Sequence, residues 1–277
     1  DVVARSSLVL TNMEPVMEFA FPTLKKVIDI GGIVATKVKP LNEHWNSILS
    51  LRSRSILISF GSIARSSTLS IETKRGIVKA LSNFHDITFI WKYETPDDQF
   101  ASLEVAEVKN VVLSAWTPQN DLLSDSRVVG FVSHAGAGSV MEAATAAVPT
   151  IFVPLFAEQP RNAAMMEKNG VAVVYDKNHL HDTEKLTEAL RNIIESKEMG
   201  SAATRMSLYL SKRPFSPREL LVKNVEFIAA TGTIPSFHPD SIEMSFVELH
   251  NLDIIALFFF ILLIISLVIF RVLKKIL

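Results

Sequence analysis

Seventeen consecutive residues without a charge, Ile254 to Phe270 (IIALFFFILLIISLVIF), constrain this chain more than any other feature. A segment that apolar rests either in a protein core or in the hydrocarbon of a bilayer. A core helix of a soluble domain would carry a polar stripe, and none is present. With Leu252 before it and Val272 and Leu273 after it, the run approaches the ~20 residues that cross ~30 Å of hydrocarbon. The expectation is a transmembrane helix over 252–273. Glu243, Glu248 and Asp253 precede it, while Arg271, Lys274 and Lys275 follow it. Positive-inside bias therefore places the tail, 274–277, in the cytosol and everything upstream on the lumenal side.

The remainder has the composition of a globular protein. Hydrophobic residues make up 48% of the 277, and the formal charge is −1. That length builds one or two domains with a substantial core. No surplus of Lys and Arg exists to cover a phosphate backbone, so nucleic acid is not an expected partner. Cysteine is absent, which excludes disulfides, thiolate metal sites and cysteine nucleophiles within the chain. The sequence begins at Asp1 rather than Met and without a signal-peptide pattern, so the expectation is a fragment of a longer protein.

Short β-branched runs alternate with amphipathic stretches through the middle of the chain. Candidate strands are Ser55–Phe60, Ile87–Trp91, Val111–Trp116, Val128–Ser133, Thr150–Pro154 and Val171–Tyr175, with a shorter one near Val27–Ile30. Helical candidates are Ser70–Asn83, Ser139–Ala147, Pro160–Asn169 and Thr183–Glu195. Apolar strands separated by helices predict a doubly wound α/β fold with a parallel sheet covered on both faces. The expected organisation is a linker and entering segment over 1–54, an α/β domain over 55–230, a polar connector over 231–251, and then the membrane span. In such a fold ligands bind outside the carboxyl ends of the strands. That rule selects the loops Gly61–Ser67, Trp116–Leu123, His134–Ser139 and Pro154–Asn162.

The stretch FVSHAGAGSVMEAA, Phe131 to Ala144, falls at one of those loops. A strand ends at Ser133, and a helix is expected to start near Ser139 with Glu142 in its first turn. Gly136 and Gly138 permit close backbone approach and positive φ, and the free N–H groups of the helix form an anion site. His134 and Ser139 add side-chain donors. A dinucleotide fingerprint G-x-G-x-x-G fits Gly136 and Gly138 but meets Met141 at its third glycine. A hydrolase elbow G-x-S-x-G fails at both of its glycines around Ser139. A plain strand-to-helix turn with Ser139 as N-cap fits equally well on these residues alone.

The neighbours narrow the choice. From Trp116 to Gln159 the chain reads WTPQNDLLSDSRVVGFVSHAGAGSVMEAATAAVPTIFVPLFAEQ. This block resembles the signature of UDP-glycosyltransferases: W-x-P-Q, a Leu pair, H-x-G-x-x-S with Glu three residues later, a G-V-P-like turn and a closing acidic-Gln pair. The resemblance extends through ILISFGS upstream, RNAAMMEKNGVAV downstream and the apolar tail. That tail is similar to the animal UDP-glucuronosyltransferase branch. Three positions depart from the pattern. Gly138 stands where Asn is usual, Glu158 where Asp is usual, and Asp125 and Ser126 where His-Pro follows the Leu pair.

The resemblance implies a GT-B enzyme of which this chain is the C-terminal, Rossmann-like donor half. Trp116 would stack the uracil ring and Gln119 would meet the base edge. His134, Ser139 and the amides around Gly136 and Gly138 would hold the diphosphate, helped by Ser62 and Gly61 after the first strand. Glu142 would accept from the ribose hydroxyls, with a helix-dipole carboxylate as its other reading. Glu158 and Gln159 would meet the donor sugar. The general base belongs to the N-terminal domain, so no catalytic residue is assigned here, and neither a metal nor a cofactor is expected. The implied reaction transfers glucuronate from UDP-glucuronate, with inversion, to a small lipophilic acceptor. UDP-glucose as donor and a truncated non-catalytic subunit are the alternatives. The terminal KKIL resembles a dilysine retrieval signal of type I endoplasmic-reticulum membrane proteins, although the same lysines serve as a stop-transfer flank. Homo- or hetero-oligomers with related transferases are implied as partners.

Overall fold

The computed structural model describes residues 2–33 and 37–276. Leu277, the last residue of the expected cytosolic tail, therefore lies outside the described residues, as do Asp1 and residues 34–36. Two compact units are present: residues 11–21 with 29–220, and residues 1–10 with 22–28 and 221–277.

The larger unit is built on a six-stranded, all-parallel sheet. Two short strands come first in the chain, β1 (Val9–Thr11) and β2 (Val27–Asp29), and pair with each other. The sheet strands follow as β3 (Arg54–Ser59), β4 (Ile87–Lys92), β5 (Val111–Ser114), β6 (Val128–Ser133), β7 (Thr150–Phe152) and β8 (Ala172–Val174). Their spatial order is β5-β4-β3-β6-β7-β8. From β3 the chain moves outward to β4 and β5, and from β6 it moves outward the other way to β7 and β8. The order reverses between β3 and β6, and that is the crevice where ligands bind in open α/β sheets. Register shifts between Ser55 and Ile56 and is regular from there to the carboxyl ends, with Leu57 opposite Phe131 and Ser59 opposite Ser133.

Both faces of the sheet are apolar, which is why the strands carry uninterrupted hydrophobic runs. Ile56, Ile58, Phe89, Trp91 and Val132 point to one side and pack with α3 (Ile71–Ser82) and α7 (Thr183–Glu195). Leu57, Ile90 and Phe131 point to the other and pack with α2 (Glu43–Leu49) and α4 (Gln119–Leu123). A third cluster lies under α5 (Ala137–Thr145), α6 (Gln159–Lys168) and α8 (Lys197–Ser211), where Met141, Met165, Met166 and Met206 meet Phe152. Each such side chain contributes ~1.5–3 kcal/mol by leaving water. The helices begin where side-chain caps permit: Ser70 accepts from Thr73 N, Asp182 from Lys185 N and Ser196 from Met199 N.

The sheet strands fall where the sequence pattern puts them: β6 has the expected bounds, β3 starts and ends one residue earlier, β4 gains Lys92, and β5, β7 and β8 are shorter, while β1 is not among the expected strands. The larger unit takes in residues ahead of the expected 55–230 span and ends at Leu220. The expected linker supplies α2, whose Trp45, Ile48 and Leu49 are buried, and Met17, buried under α6 and α8. Its polar anchors are Arg213 on Glu14 at 2.7 Å and Arg161 on Glu18 at 2.6 Å. Short polar-looking stretches like these join a core through a few residues, and hydropathy averaging hides them.

The smaller unit contains α1 (Val2–Arg5), α10 (Phe246–Leu249), α11 (Leu252–Ile276) and most of α9 (Pro217–Thr231). Lys26, buried, donates to the carbonyl oxygens of Val3, Ala4 and Ser6 and so closes the end of α1. A capping box between Ser245 and Glu248 starts α10. The 25 residues of α11 span about 37 Å at ~1.5 Å each, and the helix is long and apolar enough to cross a membrane.

Candidate functional site

A cavity of about 890 Å³ opens at the carboxyl ends of β3, β4 and β6, on the switch point. Every site residue singled out from the sequence lines it.

His134 follows the last residue of β6. Its imidazole lies between two glycines on different loops: a β-carbon on Gly61 would sit 2.7 Å from Nε2, and one on Gly136 would sit 2.5 Å from the same atom. Both contacts are shorter than any real β-carbon makes, so these glycines exist to seat the ring. Gly61 also has φ +88°, which favours glycine independently. Nδ1 of His134 is buried with no hydrogen-bond partner. The neutral ring with its proton on Nε2 is the form that avoids an orphaned buried donor, and it points an N–H along the cavity wall. Burial also holds the imidazole pKa below its ordinary value; Glu158 opposes that shift and Lys92 adds to it.

The turn after His134 differs from expectation in two ways. Positive φ falls on Ala135 (+65°) and on neither Gly136 nor Gly138. Asn162 of α6 holds that strained residue by donating to its carbonyl at 3.0 Å. The helix also starts two residues early. Gly136 is the N-cap of α5, so Ser139 is not, and Glu142 lies beyond the first turn. This overturns the reading of Glu142 as a helix-dipole carboxylate. The first helical bond runs from Val140 N to Gly136 O at 3.0 Å. The amides of Ala137, Gly138 and Ser139 therefore stand outside the helical ladder and supply the positive end of the helix. A β-carbon on Gly138 would meet nothing within 4 Å. The space above it is open cavity.

Gln119 opens α4, and its Nε2 donates to Glu142 at 2.6 Å and to Ser139 Oγ at 3.0 Å. Its amide nitrogen thus fixes the carboxylate and its oxygen is the group left for a ligand. Burial raises the Glu142 carboxyl pKa, opposed by the Gln119 hydrogen bond and reinforced by Asp121. Trp116 exposes 68% of its surface on the cavity wall, an unusual fraction for a tryptophan. Gln159 is buried and its Oε1 accepts from Leu155 N at 2.8 Å and Phe156 N at 3.1 Å. That leaves the nitrogen end for a ligand. Glu158 is exposed on the cavity rim, just after Ala157 at φ +55°. Ser62 sits on the exposed loop following β3.

Two residues at the site lie outside the Trp116–Gln159 block. Asn162 falls at the far end of a loop in the sequence pattern. Lys92 closes β4, is 8% exposed, and lines the cavity. A lysine ending a strand otherwise composed of Ile, Thr, Phe and Trp is the available signal, because lysine is almost never buried without a partner.

The family described as "UDP-glucoronosyl and UDP-glucosyl transferase" matches residues 1–277. UDP-glucuronosyltransferase 1A7 of Mus musculus is 30% identical over 276 residues, which cover 99% of this chain and 50% of that protein. UDP-glucuronosyltransferase 1A5 of Homo sapiens is 28% identical over 272 residues, covering 98% and 49%. The chain spans about half the length of the curated relatives it matches. Among solved structures, spinosyn forosaminyltransferase SpnP superposes with a TM-score of 0.63 at 16% identity, over 80% of this chain and 55% of that one. At that identity the likeness is one of fold, and the fold is the Rossmann-like half of a GT-B glycosyltransferase.

Proposed function

Because the chain belongs to the UDP-glucuronosyl and UDP-glucosyl transferase family, we propose that it supplies the donor-binding half of an enzyme that moves glucuronate from UDP-glucuronate to a small lipophilic acceptor with inversion. The observation that carries this reading is the convergence, in one cavity, of an exposed aromatic face, a seated neutral imidazole, three free helix amides and a held carboxylate.

Each part of a UDP-sugar has a suited group among these residues. Trp116 offers a stacking face to the base, with the Gln119 oxygen at its edge. Glu142 meets the ribose hydroxyls. His134 Nε2, the amides of Ala137 to Ser139, the Ser139 hydroxyl and the Gly61–Ser62 loop surround the diphosphate. Glu158 and the Gln159 nitrogen face the sugar. As the acceptor oxygen attacks the anomeric carbon and the bond to the β-phosphate breaks, negative charge grows on the departing UDP. Fixed N–H dipoles and His134 stabilise that charge without reorganising, and need no metal to do so. The base that takes the acceptor proton is assigned to the half of the relatives that this chain does not span.

Glucose is the second donor reading. The Glu158 carboxylate at the sugar end accepts from neutral hydroxyls and repels a uronate. α11 is assigned as a type I anchor in the endoplasmic-reticulum membrane, with the globular unit lumenal, on the basis of its length and the basic residues that follow it. The test is calorimetric titration of the chain with UDP. His134→Ala and Glu142→Ala should each weaken binding about ten-fold or more, the scale of a lost charged hydrogen bond. Unchanged affinity in both variants removes the nucleotide-site reading, and competition between UDP-glucuronate and UDP-glucose decides the donor.

A further inference from the structure

Lys92 is a buried cation without a counter-ion. Its residue is 8% exposed, at the end of a central strand beside the switch point. Its Nζ donates to Gly61 O at 2.6 Å and lies 5.2 Å from the centroid of the Trp116 ring. Among the described residues no carboxylate pairs with it. An ammonium has three donors, and a single carbonyl uses one of them. Buried charges are ordinarily paired, since an unpaired one has lost its hydration with nothing in return. Lys92 lines the cavity, so the missing partner has a place to come from.

We propose that Lys92 is a ligand-binding residue whose counter-ion is the diphosphate of the donor, gripped at its nucleoside end. This rests on the reading of the cavity as a UDP-sugar site and adds a residue that the family-like motifs do not contain. The position follows from what Lys92 touches. One contact is the aromatic face that would stack the base. The other is the carbonyl of Gly61, whose α-carbon packs on His134 at the phosphate end. Lys92 therefore stands between the group assigned to the base and the one assigned to the phosphates. A compact ammonium suits this position, because it acts as a point charge on an anion and does not need the planar fork of an arginine.

Gly61 is held by the same cation. Its carbonyl accepts from Nζ, so the ammonium that meets the phosphates also fixes the loop carrying Ser62. Lys92 thus positions that loop as well as binding the ligand.

The experiment titrates the full chain in detergent with UDP, uridine, UDP-glucuronate and UDP-glucose, before and after Lys92→Met. The expected result is a ten- to hundred-fold loss for UDP and for both UDP-sugars by the same factor, with uridine within two-fold of its original affinity. Equal loss of uridine would mean that Lys92 only props Trp116, and loss confined to UDP-glucuronate would mean that it reads a sugar carboxylate. Either result overturns the proposal, as does unchanged UDP affinity. If Lys92→Met leaves UDP binding intact while His134→Ala weakens it, the site reading survives and only this inference fails. Thermal melting checks each variant. Lys92→Gln, which keeps a donor for Gly61 and drops the charge, gives the same discrimination should the methionine variant unfold.

Discussion

Gly138→Ala separates binding from stability more cleanly than any other substitution in the site. Gly138 is the second residue of α5, is exposed, and lacks a positive φ. A β-carbon there meets nothing within 4 Å. Replacing such a glycine with alanine stabilises by ~0.4–1 kcal/mol, chiefly by restricting the unfolded chain. In a domain of this size that raises the melting temperature by roughly 1–4 °C. The same methyl group projects into the cavity beside the free amides of residues 137–139, and a diphosphate seated there must retreat from them. The loss of one charge-assisted hydrogen bond is worth ~1.5–3 kcal/mol, or a ten- to hundred-fold weaker UDP affinity. Calorimetry and a thermal melt on one preparation read both effects. A higher melting temperature with unchanged UDP affinity would refute the assignment of that space to the diphosphate. A lower melting temperature would refute the account of the glycine itself. Gly136→Ala is the matched contrast, because its β-carbon would lie 2.5 Å from His134 Nε2 where ordinary contact begins at 3.4 Å. The ring has the Gly61 backbone behind it, so overpacking of ~1–3 kcal/mol lowers the melting temperature along with the affinity.

Buried carboxylates make the stability of this fold depend on pH. Burial raises the Glu142 carboxyl above its ordinary value, so its protonated form is favoured by folding and the associated stability is lost as pH rises through the folded pKa. Glu142→Gln should therefore raise the melting temperature at pH 7, with a gain that vanishes below pH ~4.5, while still weakening UDP binding; a gain of equal size at both pH values would contradict this. Arg213 pairs with Glu14 at 2.7 Å, with side chains 18% and 5% exposed. Arg213→Met should cost ~3–5 kcal/mol at pH 7 by stranding a buried carboxylate. Burial raises the Glu14 pKa despite Arg213, so that cost should shrink as the pH falls and Glu14 takes a proton; urea melts at pH 7 and pH 5 read the difference.

How much of this is legible in the sequence depends on how far apart the cooperating residues lie. The parallel sheet is readable because each strand, buried on both faces, carries its own apolar run, and Ile56 to Ile58 or Phe131 to Ser133 announce themselves without reference to partners. The H-x-G-x-x-S loop is readable as a site because its groups lie within nine residues of one another. The conformation of that loop is not. Glycines mark where positive φ is free, yet the strained residue is Ala135, held by Asn162 from a helix 27 positions away. Gly136 is a glycine because of His134, and Gly61 serves the same ring from another strand. A sequence shows that a glycine is present; only the fold shows whether it serves a torsion or a neighbour.

Lys92 is hidden for the same reason. Scanned along the chain, a lysine after Trp91 looks like the solvated end of a strand. In the sheet, β4 lies directly against β3 in parallel register, Ile58 opposite Trp91, so Lys92 emerges level with the turn at Gly61 and under Trp116. Parallel pairing makes strand ends coincide at one edge. A polar residue ending an otherwise apolar parallel strand therefore shares a loop layer with every other strand's carboxyl end, and that layer is where this fold binds ligands. A charged residue at that position is a site candidate on topology alone, even where no motif contains it.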